Sequence, residues 1–571
     1  MTQFTFNVEN PTQQFIQISV NFNCKNDETF VQLPSWRPGR YELGDFAKFV
    51  RNFSITDLKG NKVDFIKVTK DRWKADTSSV DEITVRYNFF ADTINAGSSF
   101  LDETQLYVNP VNCCVFTDET YNDIIEVVLN VPEDWDVATS MHRTKNGWEV
   151  ANVDELLDSP FVASSQLQCE TYISNDTKFF VWFNGEVKPD WERLIPDFQA
   201  FTDAQIKKFT EFPVKEYHFI NQILPYKAYH GVEHCKSTVI SLGPSYDVFG
   251  SLYKELLGVS SHELYHTWNV KAIRPIEMFP YDFTKENYSK LGYICEGVTT
   301  YQGDLFLMKS GVFSEQQYFN ELQAQFQKHF DNHGRFNYSV AESSFDTWLD
   351  GYVQGIPNRK VSIYTEGCIL AFVTDVNIRR ATANKYGIDE LMKRLYFNYA
   401  LNGKGVSEAD YKEVMEDIIG EPQDDFFDNF INGHLPYESI VTKSLDYLGL
   451  ELNHEPSKSY AEGRLGFKVI KQDDGFIVNT MYSGGPGEMA GLCKGDKIIA
   501  VNGFALNGEL DKWLSYFDDD TKTVTVLRNG MFKEVTFPEV MRNFYMKYWI
   551  TKLSKPDKHQ YTAFEAWKSN R

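Results

Sequence analysis

Residues 259–270 read VSSHELYHTWNV and contain His262-Glu263-Leu264-Tyr265-His266. On a helix, positions i and i+4 share a face, so His262 and His266 can point at one ion. Glu263, one residue on, can reach a water on that ion without ligating it, which is the chemical sense of the H-E-x-x-H spacing. A catalytic zinc takes three protein ligands and keeps a fourth position for water, so the stretch is one ligand short.

Two other histidine pairs have the same spacing. His329 and His333 fall at the end of a helical pattern opened by Ser314 and Gln317, where a helix dipole favours histidine. His230 and His234, in HGVEH (230–234), match the inverted H-x-x-E-H order. That order needs a helix, and Gly231 with the strand-like STVISL after it argues for an extended chain. Glu233 is kept for another role. Among the acids downstream of the motif, Glu277 and Glu286 read as loop residues. Glu296 opens the apolar run EGVTTYQGDLFLM and is the candidate third ligand, with Thr300 as a supporting hydrogen-bonding residue. Pro275 predicts that the motif helix ends soon after Ile273.

Outward from this core, the chain changes character twice. Ile16, Ile18, Val20 and Phe22 alternate with polar residues, as do Ile83, Val85, Tyr87 and Phe89, which predicts antiparallel strands with one wet face. KFFVWFNGEV continues this pattern, so residues 1–188 are expected to form a β-sandwich-like domain. Helical spacing dominates from about 189 to 450, with one strand at KSTVISLGP (236–244). Short strands return over 451–541, and 542–571 is an aromatic, basic tail. The fold class expected is multidomain α+β.

The chain has 571 residues, with 57 Lys and Arg against 80 Asp and Glu and a net charge of −23. This balance opposes nucleic acid or an anionic membrane as the main partner. There is no apolar stretch of membrane-spanning length and no leader-like N-terminus. Eight scattered cysteines without a C-x-x-C pair fit a reducing compartment, so a cytoplasmic location is expected.

These features resemble the glutamate-type, thermolysin-like zincins, in which a glutamate on the next helix completes the site. Glu296-Gly297 followed by Thr300-Tyr301 is similar to the E-G-x-x-[ST]-Y stretch of zinc aminopeptidases. HTWNVKAIRP (266–275), SWRPGRYELGDFAKFV (35–50) and FFDNFINGHLP (426–436) resemble segments of the glycyl aminopeptidase family, whose members often carry a PDZ domain. The resemblance implies one zinc per chain on His262, His266 and Glu296, with Glu263 as the acid–base group. Gly231 and Glu233 match the strand whose glutamate holds a substrate's free amine. Tyr364 matches the oxyanion-binding tyrosine, although Glu366 stands where the family pattern has lysine. The implied substrates are peptides with free N-termini, small residues such as Gly or Ala first.

GRLGF (463–467) and GDKIIAVNG (495–503) resemble a PDZ domain of the bacterial-protease type. Leu465, Gly466 and Phe467 would then receive a peptide C-terminus, and they equally fit an ordinary turn before a strand. Two rival readings stand beside the aminopeptidase: a PDZ-bearing scaffold with a non-catalytic zinc site, and an endopeptidase that differs at Glu233.

Overall fold

The computed structural model describes residues 2–351, 355–518 and 520–569. The alternating N-terminal segments form a seven-stranded sheet in which Phe15–Asn23 lies antiparallel to Glu82–Phe90. Ile16 faces Phe89, Val20 faces Val85 and Phe22 faces Ile83, so the apolar sets of both strands share one face. That face is buried in one core with Phe4, Phe6, Phe161 and Ala163, the last two from a four-stranded sheet.

A second, five-stranded sheet runs Gln168–Ser174, Thr177–Asn184, Glu216–Ile223, Ser237–Gly243, Ala228–Glu233. Its first two strands fall inside the 1–188 stretch expected to be the first domain, yet they hydrogen-bond into this sheet: Phe179 is in register with Tyr217 and Val181 with Phe219. Alternation reports that a strand has one buried face, not which sheet it joins. Ala228–Glu233 is the edge strand, antiparallel to Ser237–Gly243. Helices cover this sheet and bury the largest apolar cluster of the molecule.

Ser314 and Gln317 form the reciprocal cap of helix Glu315–Asp331, as their spacing predicts, and Ser407 and Asp410 do the same for Glu408–Ile419. The motif helix, Tyr253–Tyr265, is shorter than Pro275 alone suggests. After it the Lys271 N–H bonds to the His266 carbonyl and the Ile273 N–H to that of Trp268, with Val270 at φ 147°, so the chain leaves the helical path well before the proline.

The PDZ-like region has its own core around Phe467, Val478, Ile498 and Val526. It is entered and left through neighbouring strands. Leu450–Pro456 pairs antiparallel with Met546–Lys552, from Leu450 opposite Lys552 to Pro456 opposite Met546. The tail thus returns to the helical domain. Its last helix, Lys558–Lys568, puts Trp567 fully into the main core. There the indole N–H donates to the Tyr301 hydroxyl at 2.8 Å, and that hydroxyl donates to Asp375 at 2.6 Å. Truncating such a tryptophan costs about 3–5 kcal/mol. No helix among the described residues is long and apolar enough to cross a membrane.

Candidate metal centre and active site

His262 lies in the last turn of the motif helix and His266 caps it in a helical conformation. The His266 Nδ1–H donates to the Asn269 carbonyl at 2.7 Å, which leaves Nε2 as a lone pair. That Nε2 lies 3.0 Å from His262 Nε2. The Asn269 side-chain amide in turn donates to the carbonyls of Ile294 and Cys295 and to the Thr299 hydroxyl, at 2.8, 3.2 and 3.0 Å. One asparagine therefore ties the histidine turn to the segment that carries Glu296.

That segment is a π turn, Tyr293–Val298, which runs into helix Thr299–Lys309. Glycine permits its packing: a Cβ on Gly297 would sit 2.3 Å from the Gly367 Cα, and one on Gly303 3.0 Å from the His262 Cα. Glu296 Oε2 ends 3.4 Å from His266 Nε2 and 3.7 Å from His262 Nε2. Thr299 rather than Thr300 is the threonine beside the histidines, its hydroxyl 3.4 Å from His266 Nδ1.

The donor set fits a zinc ion. Two imidazole nitrogens and a carboxylate oxygen lie within 4.8 Å of one another, and this is a ligand combination of catalytic zinc. Burial penalises charge on Glu296, yet the two imidazoles hold its carboxyl below the usual range. Burial likewise opposes charge on His266, and Glu296 nevertheless raises its pKa.

Glu263 is 5% exposed, and its Oε2 is buried without a hydrogen-bond partner. Burial, with Glu233 and Glu296 adding to it, pushes its carboxyl well above the ordinary range despite His266. It lies flat against the edge strand because residue 231 is glycine: a Cβ there would meet Glu263 Oε1 at 2.1 Å. Glu233 ends that strand and is 6% exposed. Carboxylate oxygens of Glu233 and Glu263 and a nitrogen of His266 again lie within 4.8 Å of one another.

Sequence reasoning gave no role to two residues of SWRPGRYE. Gly39, at φ +76°, brings the first domain against Glu233; a Cβ on it would be 2.6 Å from Glu233 Oε2. Arg37 is 3% exposed, and its charge reaches Glu263. Their signal in the sequence was the W-x-P-G pattern, without a position in space.

Tyr364, in the first turn of helix Ile363–Ala381, is 38% exposed. It lines the same cavity of about 730 Å³ as Glu233, His262, Glu263 and Glu296. Glu366, beside it, is buried and accepts a hydrogen bond from His329 Nδ1 at 2.6 Å. In the PDZ-like region, the Leu465 and Phe467 side chains are core, and the Leu465 N–H is already bonded to the Tyr460 carbonyl. Gly466 takes φ +71°.

Comparison with known proteins places this arrangement. Residues 3–165 match the peptidase M61 N-terminal domain, 255–370 the M61 glycyl aminopeptidase domain and 453–509 the PDZ domain. Among curated proteins compared by sequence, none matches. A crystal structure of an aminopeptidase N family protein from Idiomarina loihiensis superposes with a TM-score of 0.91 at 24% identity, over 100% of both chains. An M1 zinc metallopeptidase from Deinococcus radiodurans gives a TM-score of 0.49 at 11% identity, over 76% of this chain and 94% of that one. The matched peptidase domain and the three-donor cluster define a zinc metallopeptidase, an aminopeptidase in kind. The chain thus carries an M61 N-terminal domain, an M61 glycyl aminopeptidase domain and a PDZ domain.

Proposed function

We propose that this enzyme removes a small N-terminal residue, Gly or Ala, from peptides, using one zinc per chain held by His262, His266 and Glu296. Bound zinc would polarise the scissile carbonyl and lower the pKa of a water from 15.7 toward roughly 7. Glu263, whose Oε2 is buried and has no hydrogen-bond partner, takes the proton of the attacking water and hands it to the leaving amine. Tyr364 donates its hydroxyl hydrogen to the developing oxyanion. Glu233, on the strand that Gly231 lets approach Glu263, pairs with the substrate's α-ammonium and so fixes which bond meets the water.

The observation that carries this reading is the second carboxylate. Glu233 is buried beside the acid–base group, where an endopeptidase has no use for it and a structural metal site would not need it. Gly39 packs against Glu233 and supports a fixed carboxylate at the amine end of the cavity. Free cysteines, Cys113 and Cys114 among them, support a reducing, cytoplasmic setting. A peptide C-terminus at Leu465–Phe467 is the proposed PDZ ligand. Against it stands the outermost strand of that sheet, Phe467–Gln472, where Lys468 pairs with Asp331 of the peptidase domain at 2.5 Å.

The test is cleavage of Ala-initiated peptides with a free or an acetylated N-terminus. Acetylation is expected to abolish cleavage, and Glu233→Gln to lose about 1.5–3 kcal/mol of transition-state binding on the free peptide. Equal cleavage of both peptides would make this an endopeptidase.

A further inference from the structure

A second cavity, of about 320 Å³, lies in the seam between the N-terminal and peptidase domains. This is the small end of ligand-pocket sizes, about 300–1,000 Å³. The partition from the active-site cavity is thin: Pro38 and Cys235 face the seam cavity, Gly39 and Glu233 the other. Asp158 holds the partition in place. Its carboxylate accepts from the Cys235 N–H at 2.7 Å and from the Lys271 ammonium at 2.8 Å, and lies 3.1 Å from His234 Nδ1.

The walls are apolar where Pro38, Leu157, Tyr281 and Phe283 contribute. The charges are mostly matched. Lys236 pairs with Glu155 and Lys271 with Asp158. Asp154 is exposed, and its carboxylate accepts from the Tyr121 hydroxyl. Arg274 differs. Among the described residues it makes no ion pair; one Nη donates to the Lys271 carbonyl at 3.2 Å, and its guanidinium lies 3.9 Å from the Tyr281 ring centroid. Its Nε is buried with no hydrogen-bond partner. A half-buried guanidinium without an ion-pair partner beside an apolar hollow is a receptor for an anion, since a carboxylate would match its charge.

We propose that the seam cavity binds a small organic acid, its carboxylate on Arg274 and its apolar body against Leu157 and Phe283. No part of this rests on the catalytic reading. Nothing in the active-site cluster is used, and the site would stand if the enzyme cleaved another bond.

The experiment is calorimetric titration of the metal-loaded, full-length protein with 3-phenylpropionate and with the uncharged 3-phenylpropanamide. One molecule of the acid per chain is expected, with the amide at least tenfold weaker. Arg274→Gln should weaken the acid at least tenfold, and Arg274→Lys should recover part of that loss. Cys235→Met fills the hollow without altering charge and should abolish binding; this variant keeps the test decisive if Arg274→Gln fails to fold. No binding by the wild-type protein would overturn the proposal. So would binding unchanged in both Arg274→Gln and Cys235→Met, because the acid would then be sitting elsewhere, as on the metal.

Discussion

His262–His266 and His329–His333 have the same spacing and opposite fates. The first pair stays together: His266 still has helical backbone angles at the end of its helix, and Glu296 arrives from a neighbouring turn. The second pair separates. Helix Glu315–Asp331 stops between its members, so His329 turns inward to Glu366 while His333 starts a 3-10 turn and packs on Tyr482 of the PDZ domain, 4.1 Å between ring centroids. Spacing brings two imidazoles together only where helical backbone reaches the second and a third donor meets them.

The sharpest way to break this contrast is to truncate one member of each pair. His266→Ala should lower the zinc content to background and abolish hydrolysis, while His333→Ala should change neither; metal analysis of the two purified variants decides it. Glu263→Gln should keep the metal and lose about 10²–10⁴-fold in rate, and retained turnover would remove Glu263 as the proton carrier.

A smaller effect is expected at the second pair. His329→Leu leaves the buried Glu366 without its donor and should cost about 2–3 kcal/mol in a denaturant titration, with zinc content unchanged. A loss of zinc instead would show that this pair shapes the metal site.

The smallest effect concerns Asp304, which lies between the two histidine-bearing helices, near Gly258 of one and Glu321 of the other. Burial first, then Glu321, lifts its carboxyl from the ordinary range to about 7, against Lys254 and Lys328. Between about pH 4 and 7 the folded protein therefore holds a proton that the unfolded chain has released, so this residue's contribution to stability falls as pH rises through that window. Asp304→Asn removes the slope. Its melting temperature relative to wild type should rise from pH 5 to pH 8, and a constant difference would mean that Asp304 titrates normally.

The parts legible in the sequence were those whose physics is local. Helical periodicity put His262 and His266 on one face, and the Ser314–Gln317 cap spacing marked the start of its helix. What escaped depends on contacts far apart in the chain. The strands over 168–184 alternate like those of the first domain, yet their partner, Glu216–Ile223, lies beyond a helix of nineteen residues. Gly39 matters because Glu233 lies against it, and Asn269 because Ile294, Cys295 and Thr299 surround its amide. The π turn at Glu296 packs through the Gly297–Gly367 contact, which no periodicity encodes.

The return of the chain along Met546–Lys552 has a consequence for engineering. Because the PDZ domain leaves the peptidase body on one strand and comes back on its hydrogen-bonded neighbour, it is a guest in a host rather than an appendix. Cutting it out and joining Pro456 to Met546 by a tight hairpin turn would leave the host's framework closed, whereas a stop codon just after it would strip Trp567 from the interior and expose the hydrophobic centre to water.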